Sequence, residues 1–166
     1  FIFALSRPQL LNYYDIESKR GIDILITLDI STSMYSEDFK PKNRLEVAKE
    51  VISNFIKNRK TDRIGLVIFA GTSYTKCLLT IDYEMLQYYL DETNIGELED
   101  GTALGMALAT SVNRINSSKS RARTKIIILL TDGINNRGEI DPRDAARMAK
   151  ELNIKYTQIE PQGSTG

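Results

Sequence analysis

One short polar segment, Asp29-Ile30-Ser31-Thr32-Ser33, has residue types and a spacing that could bind a metal ion. In an extended chain its carboxylate and two serine hydroxyls, at positions i, i+2 and i+4, point the same way because side chains alternate in direction. Three hard oxygen ligands on one side of a segment suit Mg²⁺. A polar strand exit with turn-forming serines has the same composition. The segment alone therefore leaves a metal site and a plain turn equally open.

The elements around this segment decide which residues can join it. Residues 22–28 are almost continuously apolar, which is typical of a parallel strand buried on both faces. In such sheets, ligands bind in the crevice at the carboxyl ends of the strands. A second apolar strand, predicted over residues 125–131, ends at Asp132, and a helix is predicted to start at Thr102. If the two strands are near neighbours, Asp29 and Asp132 face the same crevice, and the helix start supplies a third loop.

Each added residue also has a simpler structural interpretation. Thr102 could be only a helix N-cap, and we expect it both to cap the helix and to face the crevice. Asp132-Gly133 is also typical of a tight turn. Asp100 adjoins the site without belonging to the pattern, and we expect it to make the local potential more negative rather than to bind metal.

Strand and helix patterns alternate along the rest of the chain, which predicts crossover connections. Strands are predicted over residues 22–30, 63–70, 73–80, 125–131 and 153–160. Helices are predicted over residues 43–59, with a capping box of Asn43 and Glu46, 83–92 and 102–115, and from Asp141-Pro142 onward. The strand over 73–80 is half polar and predicts an antiparallel edge hairpinned to its predecessor. The expected fold class is therefore α/β: one doubly wound, mostly parallel central sheet with helices on both faces and one antiparallel edge strand.

Composition restricts the function. The chain has 166 residues, 42% apolar and 27% charged, which is ordinary for one globular domain. Its formal net charge is zero, so nothing indicates a nucleic-acid or membrane-surface binder. It has no His and a single Cys, Cys77, which argues against the usual zinc chemistry and rules out an internal disulfide. No run of about 20 apolar residues is present to span a membrane.

Taken together, three segments resemble the metal-ion-dependent adhesion site (MIDAS) of von Willebrand factor A domains. They are Asp29-Ile30-Ser31-Thr32-Ser33, Gly101-Thr102 and Thr131-Asp132-Gly133, in the family's order and at similar separations. The resemblance implies that Ser31, Ser33 and Thr102 supply hydroxyl ligands. It implies that Asp29 and Asp132 bind Mg²⁺, or Mn²⁺ or Ca²⁺ in its place, directly or through water. An Asp or Glu carboxylate of another protein would complete the coordination.

A narrower resemblance is to the bacterial aerotolerance-operon (Bat-type) von Willebrand A proteins. It rests on Arg7-Pro8-Gln9, Glu37-Asp38-Phe39-Lys40-Pro41 and the segment from Asn135 to Pro142. Those proteins are anchored in the inner membrane by flanking hydrophobic helices, with this domain in the periplasm. The resemblance implies that residues 1–20 are an N-terminal extension whose apolar start, Phe1-Ile2-Phe3-Ala4-Leu5, is the end of a removed membrane span. A packed terminal strand is the other interpretation of that start.

The same resemblance sets the domain bounds. Residues 21–160 would form the von Willebrand A-like domain, and residues 161–166 a tail. The family usually leaves the last predicted strand through a Gly-rich turn, which the segment from Tyr156 to Pro161 lacks. We therefore expect the last elements of the family's domain to be missing or replaced.

The prediction is a Mg²⁺-dependent protein-binding module that is not an enzyme. No nucleophile with an adjacent base is evident. A haloacid-dehalogenase-like phosphohydrolase would need a second Asp where Ser31 stands, and no phosphate-binding GxxxxGK[ST] loop is present. A structural domain with a stabilising or vestigial metal site stays open as the alternative.

Partner contacts are expected from the loops beside the motifs, because aromatic and Arg side chains are favoured interface anchors. The candidates are Met34, Tyr35, Phe39, Asn135, Asn136 and Arg137. Packing of each side chain within its own loop is an equally good interpretation.

Overall fold

The fold is built on one five-stranded sheet, seen in a computed structural model that describes residues 21–38, 40–119, 122 and 124–161. The strands are β1 (Asp23–Asp29), β2 (Arg63–Phe69), β3 (Ser73–Thr80), β4 (Lys125–Leu130) and β5 (Lys155–Ile159). Their order across the sheet is β3-β2-β1-β4-β5. β1 is parallel to β2 and β4, and β4 is parallel to β5, whereas β3 is antiparallel to β2. The predicted parallel sheet with one antiparallel edge is confirmed.

Within the described residues, four helices cover the two faces of this sheet. They are α1 (Arg44–Lys57), α2 (Tyr83–Asp91), α3 (Leu104–Ser117) and α4 (Pro142–Glu151). Ile24, Ile26 and Leu28 of β1 pack against α1 and α2, whereas Leu25 of the same strand packs against α3 and α4. The alternation of side chains along β1 thus supplies two cores, one on each face. The predicted doubly wound α/β class is confirmed.

Two helix starts are as predicted, and in both of them the capping residues are close in sequence. Asn43 and Glu46 form the predicted capping box at the start of α1. Asp141 caps α4, and Pro142 is its first residue.

The start of α3 differs from the prediction. This helix begins at Leu104, with Ala103 at the N-cap, so Thr102 does not cap it. The Ala103 N–H donates to the Ala70 carbonyl at 2.7 Å, and the Thr102 carbonyl accepts from the Asn136 N–H at 3.0 Å. These bonds to distant loops hold residues 102 and 103 outside the helix.

The order of the strands creates a crevice at the carboxyl ends of β1 and β4. The chain leaves β1 for α1 on one face and leaves β4 for α4 on the other. Adjacent parallel strands that continue in opposite directions form the switch point at which α/β sheets bind ligands. The fold therefore places Asp29 and Asp132 at such a crevice.

Some sequence-based expectations concern positions beyond the described part of the chain. They are the N-terminal extension over residues 1–20, the contact role of Phe39 and most of the tail. Within the described ranges, no helix is long and apolar enough to cross a bilayer. The final strand, β5, is shorter than predicted, and all five of its residues are exposed.

Candidate metal centre

The five predicted ligands lie around one crevice. Ser31 Oγ is 2.9 Å from Ser33 Oγ, and the Ser33 hydroxyl donates to Asp132 Oδ1 at 2.8 Å. Asp29 Oδ1 accepts the Ser31 N–H at 2.9 Å. Thr102 reaches the same place from the start of α3, because a Cβ built on Gly133 would lie 3.0 Å from Thr102 Oγ1. The structure thus brings together two carboxylates and three hydroxyls from three separate loops.

Asp29 is the most buried member of this group, with 0% of its surface exposed. Its second oxygen, Oδ2, accepts the Thr131 hydroxyl at 2.6 Å. Burial raises the pKa of Asp29, although hydrogen bonds from Thr131 and Ser31 act in the opposite direction. Among the described residues, no lysine or arginine pairs with this carboxylate. A buried carboxylate without a cation is costly to keep ionised, so the position suits a bound cation.

Asp23, at the other end of β1, provides a comparison within the same strand. It is also buried, but Arg63 Nε and Nη2 donate to its two oxygens at 2.9 Å each. This bidentate pairing is the usual solution for a buried carboxylate. β1 therefore carries two buried carboxylates, and the described residues supply an arginine to only one of them.

Asp132 has a different environment from Asp29. Its Oδ1 accepts the Ser33 hydroxyl, and its Oδ2 accepts from Nη1 of Arg44, the first residue of α1. Arg44 Nε also donates to Asp38 Oδ2 at 2.6 Å. The hydrogen bond to Asp132 raises the pKa of Arg44 further, so its charge is permanent. Arg44 could not be predicted as part of the site, because nothing in the sequence connects position 44 with position 132.

Thr102 is fixed through its backbone, which leaves its side chain free for another role. Its N–H donates to Asn136 Oδ1 at 2.9 Å, and its carbonyl accepts from the Asn136 and Arg137 N–H groups. Its hydroxyl has no hydrogen-bond partner within the described ranges. At the start of α3, Asn135 Oδ1 accepts the Gly105 N–H at 3.4 Å, which is a weak form of the cap expected from Thr102.

One predicted partner contact is wrong. Met34 is 0% exposed and belongs to the core against α1 and α2. A 3-10 helix over Thr32–Tyr35 follows the first motif, and it turns Met34 inward while leaving Tyr35 57% exposed. The sequence pattern could not show this because the helix is only four residues long.

The loop after β4 contains both structural and exposed residues. Asn135 and Asn136 hold the start of α3, and Arg137 Nη1 contacts the Asp100 carbonyl at 2.6 Å and Glu99 at 2.9 Å. Ile134, which the sequence analysis did not select, is 89% exposed beside Asp132. A single apolar residue in a polar loop gives no periodic signal, so only its exposure identifies it.

Asp100 lies beside the site, and in the described part of the chain its carboxylate makes no hydrogen bond to the five predicted ligands. Its carboxylate accepts the Thr32 N–H at 3.0 Å and the Thr32 hydroxyl at 2.9 Å, and these bonds lower the pKa of Asp100. The contact ties the loop after β1 to the loop before α3.

The donor chemistry fits a hard divalent cation. Carboxylate, hydroxyl and water oxygens are the ligands that Mg²⁺ prefers. The described residues contain no cluster of three or more His, Cys, Asp or Glu side chains that could hold a metal. Among the five predicted ligands, two are carboxylates and three are neutral hydroxyls. The two carboxylates formally balance the charge of a divalent cation, and the neutral hydroxyls add no further charge.

Comparisons with known proteins identify the family. Residues 23–163 match the sequence model of the von Willebrand factor type A domain, so the chain belongs to this family. Domains of this family are typically protein-interaction modules and are generally not enzymes. The resemblance inferred from the three motifs is confirmed at this level.

Individual relatives narrow the resemblance. An aerotolerance-related membrane protein from Bacteroides fragilis has a structure similar to this one, with a TM-score of 0.75 and 30% identity over 83% of this chain and 66% of that chain. An uncharacterized protein from Borreliella burgdorferi is 38% identical over 158 residues, which are 95% of this chain and 46% of that protein. The Bat-type resemblance is confirmed. This chain spans less than half the length of the curated relatives that it matches.

A more distant likeness concerns fold alone. Proximal thread matrix protein 1 from the mussel byssus, in a structure with a zinc-occupied MIDAS motif, has a TM-score of 0.72 and 20% identity over 84% of this chain and 35% of that chain. Within the same fold, that protein holds a divalent cation at its MIDAS motif.

Proposed function

We propose that this chain is a Mg²⁺-dependent protein-binding module whose metal is completed by a carboxylate of a partner protein. The cation would be held by Asp29, Ser31, Ser33, Thr102 and Asp132, with Mn²⁺ or Ca²⁺ able to replace Mg²⁺. The observation that carries the proposal is the buried Asp29 carboxylate, which has hydroxyl and N–H donors but no arginine or lysine among the described residues. A bound cation would supply the charge that attracts a partner's carboxylate.

The surroundings of the site support a protein partner. Tyr35 is exposed beside the first motif, and Ile134 is exposed beside the last. Exposed aromatic and aliphatic side chains next to a charged centre are typical anchors of a protein interface. We include both as partner contacts, together with Arg137 on the rim, and we leave out Met34 because it is buried.

The parent protein is proposed to be anchored in the inner membrane of a bacterium, with this domain in the periplasm. Support comes from the similar aerotolerance-related protein, which is described as a membrane protein, and from the greater length of the curated relatives. Protease treatment of spheroplasts tests this location. An envelope-located domain is cut from outside, whereas a cytoplasmic one is protected until the membrane is lysed.

Calorimetric titration with Mg²⁺ and Mn²⁺ tests the metal site. We expect one cation per chain for the wild type, none for Asp29→Ala and at least about tenfold weaker binding for Ser33→Ala, because Mg²⁺ tolerates little loss of its octahedral ligands. Ser36→Ala is the matched control for Ser33→Ala. Ser36 lies three residues after Ser33, and its side chain makes no hydrogen bond to the described residues. Equal uptake by the wild type and Asp29→Ala would contradict the proposal.

A structural domain with a stabilising metal is the second candidate. It is favoured by the hydrogen bonds that satisfy Asp132 without a cation. Capture from an envelope extract, with Mg²⁺ against EDTA, separates the two functions. A metal that raises the melting temperature of the domain without changing capture of any protein indicates the structural role.

A further inference from the structure

We infer that Arg44 acts through Asp132 to tune the charge of the metal centre and so keeps it selective for anionic partners. By offsetting the charge of Asp132, it would leave a bound divalent cation with an excess of positive charge, which an outside carboxylate then neutralises. The inference rests on the proposed function and concerns the regulation of the same site.

Arg44 is held in place through both its backbone and its guanidinium group. As the first residue of α1, it lies within the capping box, directly after Asn43, and its N–H donates to the Ser36 carbonyl at 3.0 Å. Its guanidinium group bridges Asp132 and Asp38. The side chain is only 26% exposed, and that of Asp132 only 6%. Little water therefore screens the interaction between the guanidinium group and Asp132.

Arg44 changes the net charge of the metal-loaded site. The two carboxylates, Asp29 and Asp132, carry two negative charges, and the three hydroxyl ligands are neutral. With a divalent cation these groups would sum to zero, and the site would attract another carboxylate only weakly. Arg44 adds one positive charge in contact with a ligand, so the loaded site becomes cationic. Two further carboxylates oppose this charge: Asp38, which also contacts Arg44 and is about half exposed, and Asp100, which bonds Thr32. Both are exposed to solvent, so water and salt screen them more than they screen the contact between Arg44 and Asp132.

The charge and the geometry of Arg44 predict opposite effects on metal binding. If Arg44 acts through its charge, a neutral replacement lets Asp132 attract the cation more strongly, so metal affinity rises while affinity for carboxylates falls. If Arg44 only holds Asp132 in place, the same replacement weakens metal binding. The direction of the change therefore separates a tuning role from a merely structural one.

Mn²⁺ serves as the probe because its paramagnetic resonance signal distinguishes free from bound ions. We expect Arg44→Gln to bind Mn²⁺ about tenfold more tightly than the wild type, and the Mn²⁺-loaded variant to bind acetate about tenfold more weakly. Arg44→Lys keeps the charge and should stay within about threefold of the wild type in both titrations. Arg114→Gln is the control for net charge, since Arg114 lies near the far end of α3 and contacts Thr75.

Each result has a separate meaning. No Mn²⁺ uptake by the wild type overturns the proposed function and this inference with it. Mn²⁺ uptake by the wild type, with unchanged or weaker uptake by a folded Arg44→Gln, overturns the inference alone. If Arg44→Gln does not fold, Arg44→Lys decides: a change of more than about threefold in either titration overturns the inference, and smaller changes support it.

Discussion

At the scale of single residues, Asp29 and Asp23 show how one strand treats two buried carboxylates differently. Asp23 has a bidentate arginine, whereas Asp29 has only hydroxyl and N–H donors among the described residues. Keeping Asp29 ionised without a cation lowers the stability of the folded domain, because burial penalises the charged form. Sites built for a ligand often carry such a cost in the ligand's absence.

Replacing Asp29 by Asn should therefore stabilise the metal-free domain and abolish its metal response. The folded-state pKa of Asp29 is raised, so its favourable contribution is complete below the unfolded value of about 3.9 and is lost as pH rises through the folded value. The advantage of Asp29→Asn should grow across that window and persist at pH 7. In EDTA at pH 7 we expect a melting temperature about 2–4 °C above the wild type, corresponding to about 1 kcal/mol. Mg²⁺ should then raise the wild-type melting temperature only.

Asp23→Asn is the matched control for this measurement. It removes the same charge from the same strand but breaks the pairing with Arg63, so the melting temperature should fall. A metal-free Asp29→Asn that melts below the wild type at pH 7 would show that hydrogen bonding to Asp29 outweighs its burial.

Gly133 controls the position of the Thr102 hydroxyl. A Cβ at position 133 would lie 3.0 Å from both Oγ1 and Cγ2 of Thr102, so Thr102 would have to move by a few tenths of an ångström. Because Mg²⁺ needs ligands near 2.0–2.1 Å, we expect Gly133→Ala to weaken Mg²⁺ binding by about tenfold in calorimetry, with little loss of stability.

The double variant Gly133→Ala/Thr102→Ser checks this explanation. Serine keeps the hydroxyl and lacks Cγ2, so part of the lost affinity should return. If the single and double variants bind Mg²⁺ equally well, the alanine does not act by displacing the Thr102 side chain.

At the scale of elements, the start of a helix could be predicted from the sequence where the residues that fix it are close together in the chain. The capping box of α1 and the Asp141-Pro142 start of α4 involve residues up to three positions apart, and both were predicted. The start of α3 was not, because Ala70 and Asn136 fix residues 102 and 103 from distant loops. The helix propensity of residues 102 and 103 contains no information about hydrogen bonds to distant loops. The role of Arg44 was missed for the same reason.

Gly105 in α3 provides a test of packing against propensity. Replacing glycine by alanine inside a helix normally stabilises it by up to about 1 kcal/mol. Here a Cβ would lie 1.9 Å from the Ile140 carbonyl oxygen, which is backbone and cannot rotate away. Overpacking of this kind costs about 1–3 kcal/mol or more, so the clash should win. We expect Gly105→Ala to lower the urea midpoint by a net amount equivalent to about 2 kcal/mol.

Asn113→Ala, at an exposed position of the same helix, is the control for propensity and should be neutral or slightly stabilising. If Gly105→Ala is as stable as the wild type, the expected clash is wrong: the loop that contains Ile140 would then have moved away from α3 at little cost in free energy.

At the scale of the whole molecule, the parallel arrangement of β1 and β4 explains why so much of the site could be predicted. Apolar runs showed which segments are buried strands, and parallel strands deliver their carboxyl ends to one edge. Positions 29, 102 and 132 therefore meet although they are far apart in sequence. The strand order did not follow from the chain itself, and neither did the exposure of Ile134. Both depend on packing between distant elements.

Substitutions at the two ends of the strands should consequently have different effects: those at the amino ends change stability, and those at the carboxyl ends change metal binding. The Asp23–Arg63 pair lies at the amino ends of the strands, with Asp23 buried and Arg63 about one-third exposed. The candidate ligands lie at the carboxyl ends. Removing one partner of a fully buried pair costs about 3–5 kcal/mol, and solvent around Arg63 reduces this cost. We expect Arg63→Met to lower the free energy of unfolding by about 2 kcal/mol.

Calorimetry on Arg63→Met, at a temperature where it is fully folded, should give the wild-type Mg²⁺ affinity within about twofold. The reason is distance: β1 has seven residues, and each strand residue advances by about 3.3 Å, so about 20 Å separate the two ends. At physiological ionic strength that exceeds the screening length of about 8 Å. A tenfold change in Mg²⁺ affinity would mean that β1 transmits strain from one edge to the other, and the sheet would then have to be treated as part of the binding site rather than as its rigid support.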